Sequence, residues 1–165
     1  MLRRISFIVV IIFAVYPLKA EAESSLEGRV PYTRVWKVKA GDDPSFKYPD
    51  YDDSGWASIS LPWRGSVETL SPSDGEENTY DGFIWLRGER SMPLAEANRL
   101  LYFIAGNLSG ACEFYFNGVL VYKHGRFPPD YQYTASTPKQ TLLTPELVTS
   151  GDPNVVCVRL FNEAG

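Results

Sequence analysis

Oxygen-bearing side chains gather at two places early in the chain: Asp42-Asp43 and the stretch Asp50-Tyr51-Asp52-Asp53-Ser54-Gly55-Trp56. The latter stretch matches the opening of an EF-hand calcium loop, with acidic residues at loop positions 1 and 3, Ser at 5 and Gly at 6. Such a loop also needs a bidentate carboxylate at position 12 and a helix on either side. Here position 12 is Leu61, position 9 is Ser58, and Pro49 and Pro62 flank the segment. The stretch therefore reads as a turn: Asp52, Asp53 and Ser54 accept backbone N–H bonds while Trp56 drops into the core. Paired carboxylates can hydrolyse a glycosidic bond, but neighbouring side chains diverge, so both Asp pairs are expected to cap turns. No metal site is expected.

His124 is the single histidine, which excludes His clusters for zinc and two-His iron sites. A catalytic triad would need it beside a positioned Ser and an acid. The chain has no G-x-S-x-G elbow. Before Gly125, His124 reads as an ordinary loop histidine. No catalytic residue and no cofactor are expected.

The aromatic residues offer binding chemistry instead. Trp63 follows Pro62 in a loop beside Arg64 and Gly65; an indole face can stack on a sugar ring while Arg64 bonds its hydroxyls. Tyr80-Asp81 and the loop Phe127-Pro128-Pro129-Asp130-Tyr131-Gln132-Tyr133 carry similar groups. The candidate ligand-binding residues are thus Trp63, Arg64, Tyr80, Asp81, Tyr131 and Tyr133. The same side chains could pack beneath their own loops, face a neighbouring domain, or form a protein interface.

Strands must position these groups. Aromatics make up 14% of 165 residues, with 13 Gly and 12 Pro, a composition that favours a turn-rich β protein over a helical bundle. Alternation predicts strands over Val35–Lys39, Phe83–Met92, Leu100–Ala105, Cys112–Phe116 and Val155–Phe161. Asn117-Gly118 before Val119-Leu120-Val121-Tyr122 predicts a hairpin. Residues 40–65 form a turn-rich excursion, 71–79 a surface loop and 124–140 a Pro- and Tyr-rich loop. Thr144-Pro145-Glu146-Leu147-Val148 predicts one short capped helix ending at Gly151. The economical architecture is an all-β sandwich.

The N-terminus has a different character. Met1-Leu2-Arg3-Arg4, an apolar run from Ile5 to Val15, and Ala20-Glu21-Ala22 form the three-part pattern of a secretory signal peptide. Its apolar stretch is shorter than a bilayer span of roughly 20 residues. Residues 1–22 are expected to leave on export to the periplasm or the extracellular space, although retention as an anchor stays open. Their loss moves the formal charge from −4 to −6. No membrane span is then expected in the mature chain. With no basic block in the folded region, no nucleic-acid partner is expected. Export permits a disulfide, yet Cys112 shares a face with Phe114 and Phe116 while Cys157 shares one with Arg159, opposite the aliphatic side. Free thiols, one inward and one outward, are expected.

Several strings appear in a telling order: Trp36, Gly41-Asp42-Asp43, Asp52-Asp53-Ser54-Gly55-Trp56 and Leu61-Pro62; then Tyr80-Asp81-Gly82-Phe83-Ile84-Trp85-Leu86-Arg87; then Glu113-Phe114-Tyr115-Phe116-Asn117-Gly118; then Asn154 to Asn162. Together they resemble the sugar-binding domain of glycoside hydrolase family 2 over residues 36–162. The resemblance implies a jelly-roll β-sandwich of the galactose-binding-like type, with Trp36, Trp56 and Trp85 in its core. Similar modules occur in sialate O-acetylesterases and in extracytoplasmic sensor regions of bacterial membrane proteins. Related domains continue beyond the Asn-x-x-Gly of Asn162–Gly165 into another strand, and the catalytic groups of those enzymes lie in other domains. The resemblance therefore implies an exported, non-catalytic carbohydrate-binding-like module over 23–165 that lacks its last strand. Its partners would be a carbohydrate or other small extracytoplasmic ligand and an attached C-terminal domain. Alternatives are the sensory domain of a membrane signalling protein, or the N-terminal accessory domain of a glycoside hydrolase or sialate O-acetylesterase.

Overall fold

The computed structural model describes residues 33, 35–60, 63–65, 82–92, 100–105, 109–135 and 139–163, with the short stretches 7–9, 11–16 and 29–31. The strands are β1 (Phe7–Val9), β2 (Ile11–Tyr16), β3 (Arg29–Pro31), β4 (Val35–Ala40), β5 (Ala57–Ser60), β6 (Trp63–Gly65) and β7 (Gly82–Ser91). They continue with β8 (Leu100–Ala105), β9 (Ser109–Phe116), β10 (Val119–His124), β11 (Thr134–Ala135), β12 (Lys139–Leu143) and β13 (Pro153–Asn162). For β1, β2, β3, β6 and β8 the description is of the backbone.

The main sheet has seven antiparallel strands in the order β10-β9-β13-β7-β4-β5, with β11 attached to β9. A smaller sheet runs β12-β8-β2-β3, and β1 pairs with β6. The result is an all-β sandwich. Among the described residues, the helical turns are 3-10 turns at Pro44–Lys47 and Pro145–Leu147. The expected helix at 144–148 is thus a single 3-10 turn, and Thr144 makes no side-chain cap bond. A segment this short gains too few hydrogen bonds to propagate as an α-helix.

Residues of the expected leader take part in pairing: Ile11–Tyr16 lies antiparallel to Leu100–Ala105, and Phe7–Val9 to Trp63–Gly65. Within the expected excursion, Ala57–Ser60 forms a strand against β4. Residues 71–79 lie outside the described residues.

Alternation along β7 and β13 sorts the core into two clusters on opposite sides of the main sheet. On the inner side Trp36, Ile84, Leu86, Phe114, Phe116, Val156 and Val158 pack with Met92 and with Leu143 of β12. Trp36 lies flat over Gly88, where a Cβ would approach its ring to 2.9 Å. On the outer side Trp85, Tyr115, Val155 and Cys157 pack beneath Phe46 and Trp56 of the 41–56 excursion. With both faces covered, Ile84 through Gly88 are buried without a break. All three tryptophans expected in the core are buried, but Trp56 and Trp85 belong to the outer layer.

The Asn117-Gly118 hairpin forms with φ of +48° and +82°, the left-handed pair that a two-residue turn requires. Asn117 also ties the turn to β13: its Oδ1 accepts from Val155 N at 2.8 Å, and its Nδ2 donates to Asn154 Oδ1 at 2.9 Å. Asn154 is fully buried, and its amide bonds Thr149 N and O. This closes the 145–152 segment without an unpaired amide atom, as burial demands.

Candidate functional site

The outer face of the main sheet is laid out in rows fixed by strand register. Cys157 of β13 stands opposite Arg87 of β7 and Tyr115 of β9; Arg159 stands opposite Trp85 and Glu113; Phe161 stands opposite Phe83 and Ala111. Two segments cover these rows. The 41–56 excursion lies over the Arg87 row, and the 125–133 loop lies over the Phe161 row.

Arg87 is the anchor of the excursion. Its side chain is 0% exposed, and Nε donates to Asp53 Oδ2 at 2.8 Å. Nη1 donates to the carbonyls of Phe46 at 2.6 Å and Tyr48 at 2.9 Å, and Nη2 points to those of Pro49 at 3.5 Å and Tyr51 at 3.4 Å. Asp52 meanwhile accepts from Ser54 N at 3.0 Å, and that bond holds its carboxyl below the usual carboxylate range. Asp43 does the same for Ser45 N at 2.8 Å. The expected capping thus holds for Asp43 and Asp52. For Asp42 and Asp53 it is corrected: each grips an arginine of the outer face.

Arg159 occupies the junction of the two covers. It holds Asp42 by two bonds, Nε to Oδ1 at 2.8 Å and Nη2 to Oδ2 at 2.6 Å, and Glu113 by Nη1 to Oε2 at 3.0 Å. Burial alone would lower its pKa, but the bonds to Asp42 and Glu113 outweigh that and raise it. Its guanidinium lies over Phe127 at 4.2 Å and Phe83 at 4.7 Å, and these two rings stack on each other at 5.6 Å. Tyr115 donates to Glu113 Oε2 at 2.7 Å; burial, then that carboxylate, push its pKa well up. Trp85 Nε1 reaches Asp42 Oδ1 at 3.3 Å. Lys47 Nζ also stands over the Tyr115 ring at 5.4 Å, so charged groups of both signs meet aromatic faces here, a combination suited to polyhydroxylated ligands.

The 125–133 loop closes on itself through Arg126 N to Gln132 O at 3.2 Å and Gln132 N to Arg126 O at 3.0 Å. Gly125 permits the closure: at φ of +67°, a Cβ would stand 2.8 Å from the Ala111 backbone. Tyr131 packs edge-on against Phe161 at 4.9 Å, whereas Tyr133 is 49% exposed. Trp63 and Arg64 lie in strand β6 and not in the expected loop, with only their backbones described. Tyr80 and Asp81 lie outside the described residues. Of the six candidate residues, the structure therefore places Tyr131 against the aromatic cluster and Tyr133 at the surface.

Sequence reasoning missed Arg159, Glu113 and Asp42 as partners. One signal was present: an arginine in the phase of Cys157, opposite the aliphatic side. By alternation alone that phase faces outward, but the outer face is itself covered, and Cys157 is fully buried. Both cysteines are free, on opposite faces as expected, and burial pushes each thiol up to about 12. His124 ends β10 as a strand residue, with its Nδ1 3.1 Å from Cys112 Sγ. The two residues stand opposite each other on paired strands, so the contact follows from strand register. Among the described residues, no group of three or more His, Cys, Asp or Glu is placed to hold a metal ion. No helix of the described residues is long and apolar enough to cross a membrane.

No family model and no curated protein matches the chain. Solved structures do. A calcium-binding mutant of Bacteroides uniformis β-glucuronidase 2 matches at a TM-score of 0.61 and 23% identity, over 78% of this chain and 14% of that one. A family 2 glycosyl hydrolase from Bacteroides cellulosilyticus matches at 0.64 and 20%, over 80% and 17%. The β-glucuronidase of Ruminococcus gnavus in complex with D-glucaro 1,5-lactone matches at 0.57 and 20%, over 89% and 23%. At these identities the likeness is one of fold. The chain shares a β-sandwich fold with family 2 glycoside hydrolases, and it spans between 14% and 23% of their chains.

Proposed function

We propose that residues 23–165 form a non-catalytic accessory β-sandwich of a larger, exported glycoside hydrolase, and that the 125–133 end of its outer face contacts carbohydrate. The observation that carries the reading is the coverage: nearly four fifths of this chain aligns with only 14% of a β-glucuronidase. A sandwich that makes up so small a share of a hydrolase leaves most of that chain to supply the chemistry. The outer face supports the same reading: its carboxylates are held by Arg159, and Tyr133 at the 125–133 end is exposed for stacking. The finer assignment, a sugar-binding-like domain of family 2, rests on the ordered motifs from Trp36 to Asn162.

The leader-like N-terminus supports export. Its removal would take β1 and β2 from the sheets, leaving one edge of β8 open for another strand of the larger protein.

The test is the intact mass of the mature product from its native source, with a hydrolysis assay on the isolated chain. A mass well above that of residues 23–165, with no turnover of a chromogenic β-glucuronide by the isolated chain, is expected. A native product with the mass of 23–165 alone would overturn the accessory role. Turnover by that chain would overturn the non-catalytic one.

A further inference from the structure

The excursion that resembles a calcium loop is built around a cation after all. We propose that residues 46–53 form a cation receptacle whose occupant is the protein's own Arg87 guanidinium, and that the emptied receptacle takes a free guanidinium-type cation. This inference is independent of the proposed function.

The lining has the chemistry of a hard-cation site. Backbone carbonyl oxygens of Phe46, Tyr48, Pro49 and Tyr51 converge on one centre with a carboxylate oxygen of Asp53. Convergent carbonyls and a carboxylate are the usual surroundings of calcium, but here the donors of a planar fork fill the space. The guanidinium has five N–H groups in fixed directions. Nε takes the carboxylate, while Nη1 and Nη2 take carbonyls on successive turns of the chain. The Phe46 carbonyl, near the end of the 3-10 turn, has no helical partner; it accepts from Nη1 and from Cys157 Sγ at 3.4 Å. Asp52 is engaged with Ser54, and Asp50 is exposed. Neither acid that gives the stretch its likeness to a calcium loop, Asp50 or Asp52, therefore faces the centre; Asp53, at loop position 4, does.

The receptacle does not depend on Arg87 alone for its shape. Phe46 packs on Tyr51 at 5.0 Å and on Trp56 at 4.9 Å, and turn bonds run from Phe46 N to Asp43 O, Tyr48 N to Ser45 O, and Tyr51 N to Tyr48 O. Its floor is Cys157 and Trp85 of the sheet. Shortening Arg87 leaves one carboxylate and four carbonyls around a vacated, planar space. An alkylguanidinium fits that space in charge, shape and donor directions. A spherical ion or a neutral amide matches only part of it.

The experiment measures the melting temperature of the full chain carrying Arg87→Ala, titrated with methylguanidinium at low millimolar concentration. Calcium chloride, potassium chloride and urea serve as controls. A saturable upward shift of several degrees with methylguanidinium is expected for Arg87→Ala. No such shift is expected for the wild type, nor for Arg87→Met, whose side chain fills the stem without donors. If Arg87→Ala does not fold unaided, its refolding yield with and without methylguanidinium gives the same readout. Absence of any methylguanidinium effect, or an equal effect on all three chains, would overturn the proposal. A calcium shift as large as that of methylguanidinium would also overturn it, because the centre would then accept a spherical ion.

Discussion

The two aspartate pairs solve the same problem in two settings. In each, one carboxylate caps its own turn, Asp43 on Ser45 and Asp52 on Ser54, and its neighbour reaches down to an arginine on the sheet. The settings differ in burial. Arg87 is sealed, with one carboxylate and a set of carbonyls, whereas Arg159 is 19% exposed and shared between Asp42 and Glu113. A sealed guanidinium that loses its partner is strongly destabilising, because no water replaces the lost bonds. A partly wet one can recruit solvent. The first arginine therefore fixes the fold of the excursion, while the other leaves groups at the surface that a ligand can reach.

The largest effect tests the sealed end. Arg87→Ala is expected to cost about 3–5 kcal/mol in urea unfolding. It should also open Cys157, whose thiol lies 3.4 Å from Nη1, to a thiol reagent before the chain unfolds. Cys112, on the other face, is the internal control and should stay protected. Equal protection of both thiols in the variant would show that the excursion does not need Arg87.

Arg159→Ala should cost less, about 1–2 kcal/mol, after allowing for the solvent that reaches its carboxylates and for lost stacking on Phe83 and Phe127. Added salt should shrink this difference and leave the Arg87 one nearly unchanged. A salt-insensitive loss equal to that of Arg87→Ala would erase the distinction between the two ends.

The smallest effect concerns the capping carboxylates. Both are held below the usual value of 3.8 in the folded protein, first by the backbone bonds of Ser45 and Ser54. A depressed folded pKa contributes stability that is fully present above pH 3.8 and lost as pH falls through the folded value. Asp43→Asn and Asp52→Asn should each lose a little stability at pH 7 and converge with the wild type as pH falls through the folded pKa, flattening the profile. A loss that stays the same at every pH would mean that the ionised carboxylate is not what stabilises the turn.

Much of the sandwich was legible because it is local. Strand alternation, the Asn117-Gly118 turn and the capping carboxylate of Asp52 all depend on residues a few positions apart. The site was less so, because its bonds span long stretches of chain. Arg87 meets a residue 34 positions away, and Arg159 one 117 positions away. Pattern alone shows which residues share a face of a strand, but not that a loop later covers that face. That is why Cys157 and Arg159 read as outward and Trp85 as part of the inner core. Tyr131 and Tyr133 were singled out by composition, and the backbone separates them: one turns onto Phe161 and the other to solvent.

The most direct test of the functional account is a glycan-binding screen of the full chain beside its Tyr133→Ala variant. Tyr133 is exposed enough for its truncation to leave the melting temperature unchanged. The account predicts that the wild type retains at least one carbohydrate and that Tyr133→Ala loses it with the fold intact. A wild type that binds no glycan, or binding untouched by the substitution, would contradict the assignment of the 125–133 end as the carbohydrate-contacting surface.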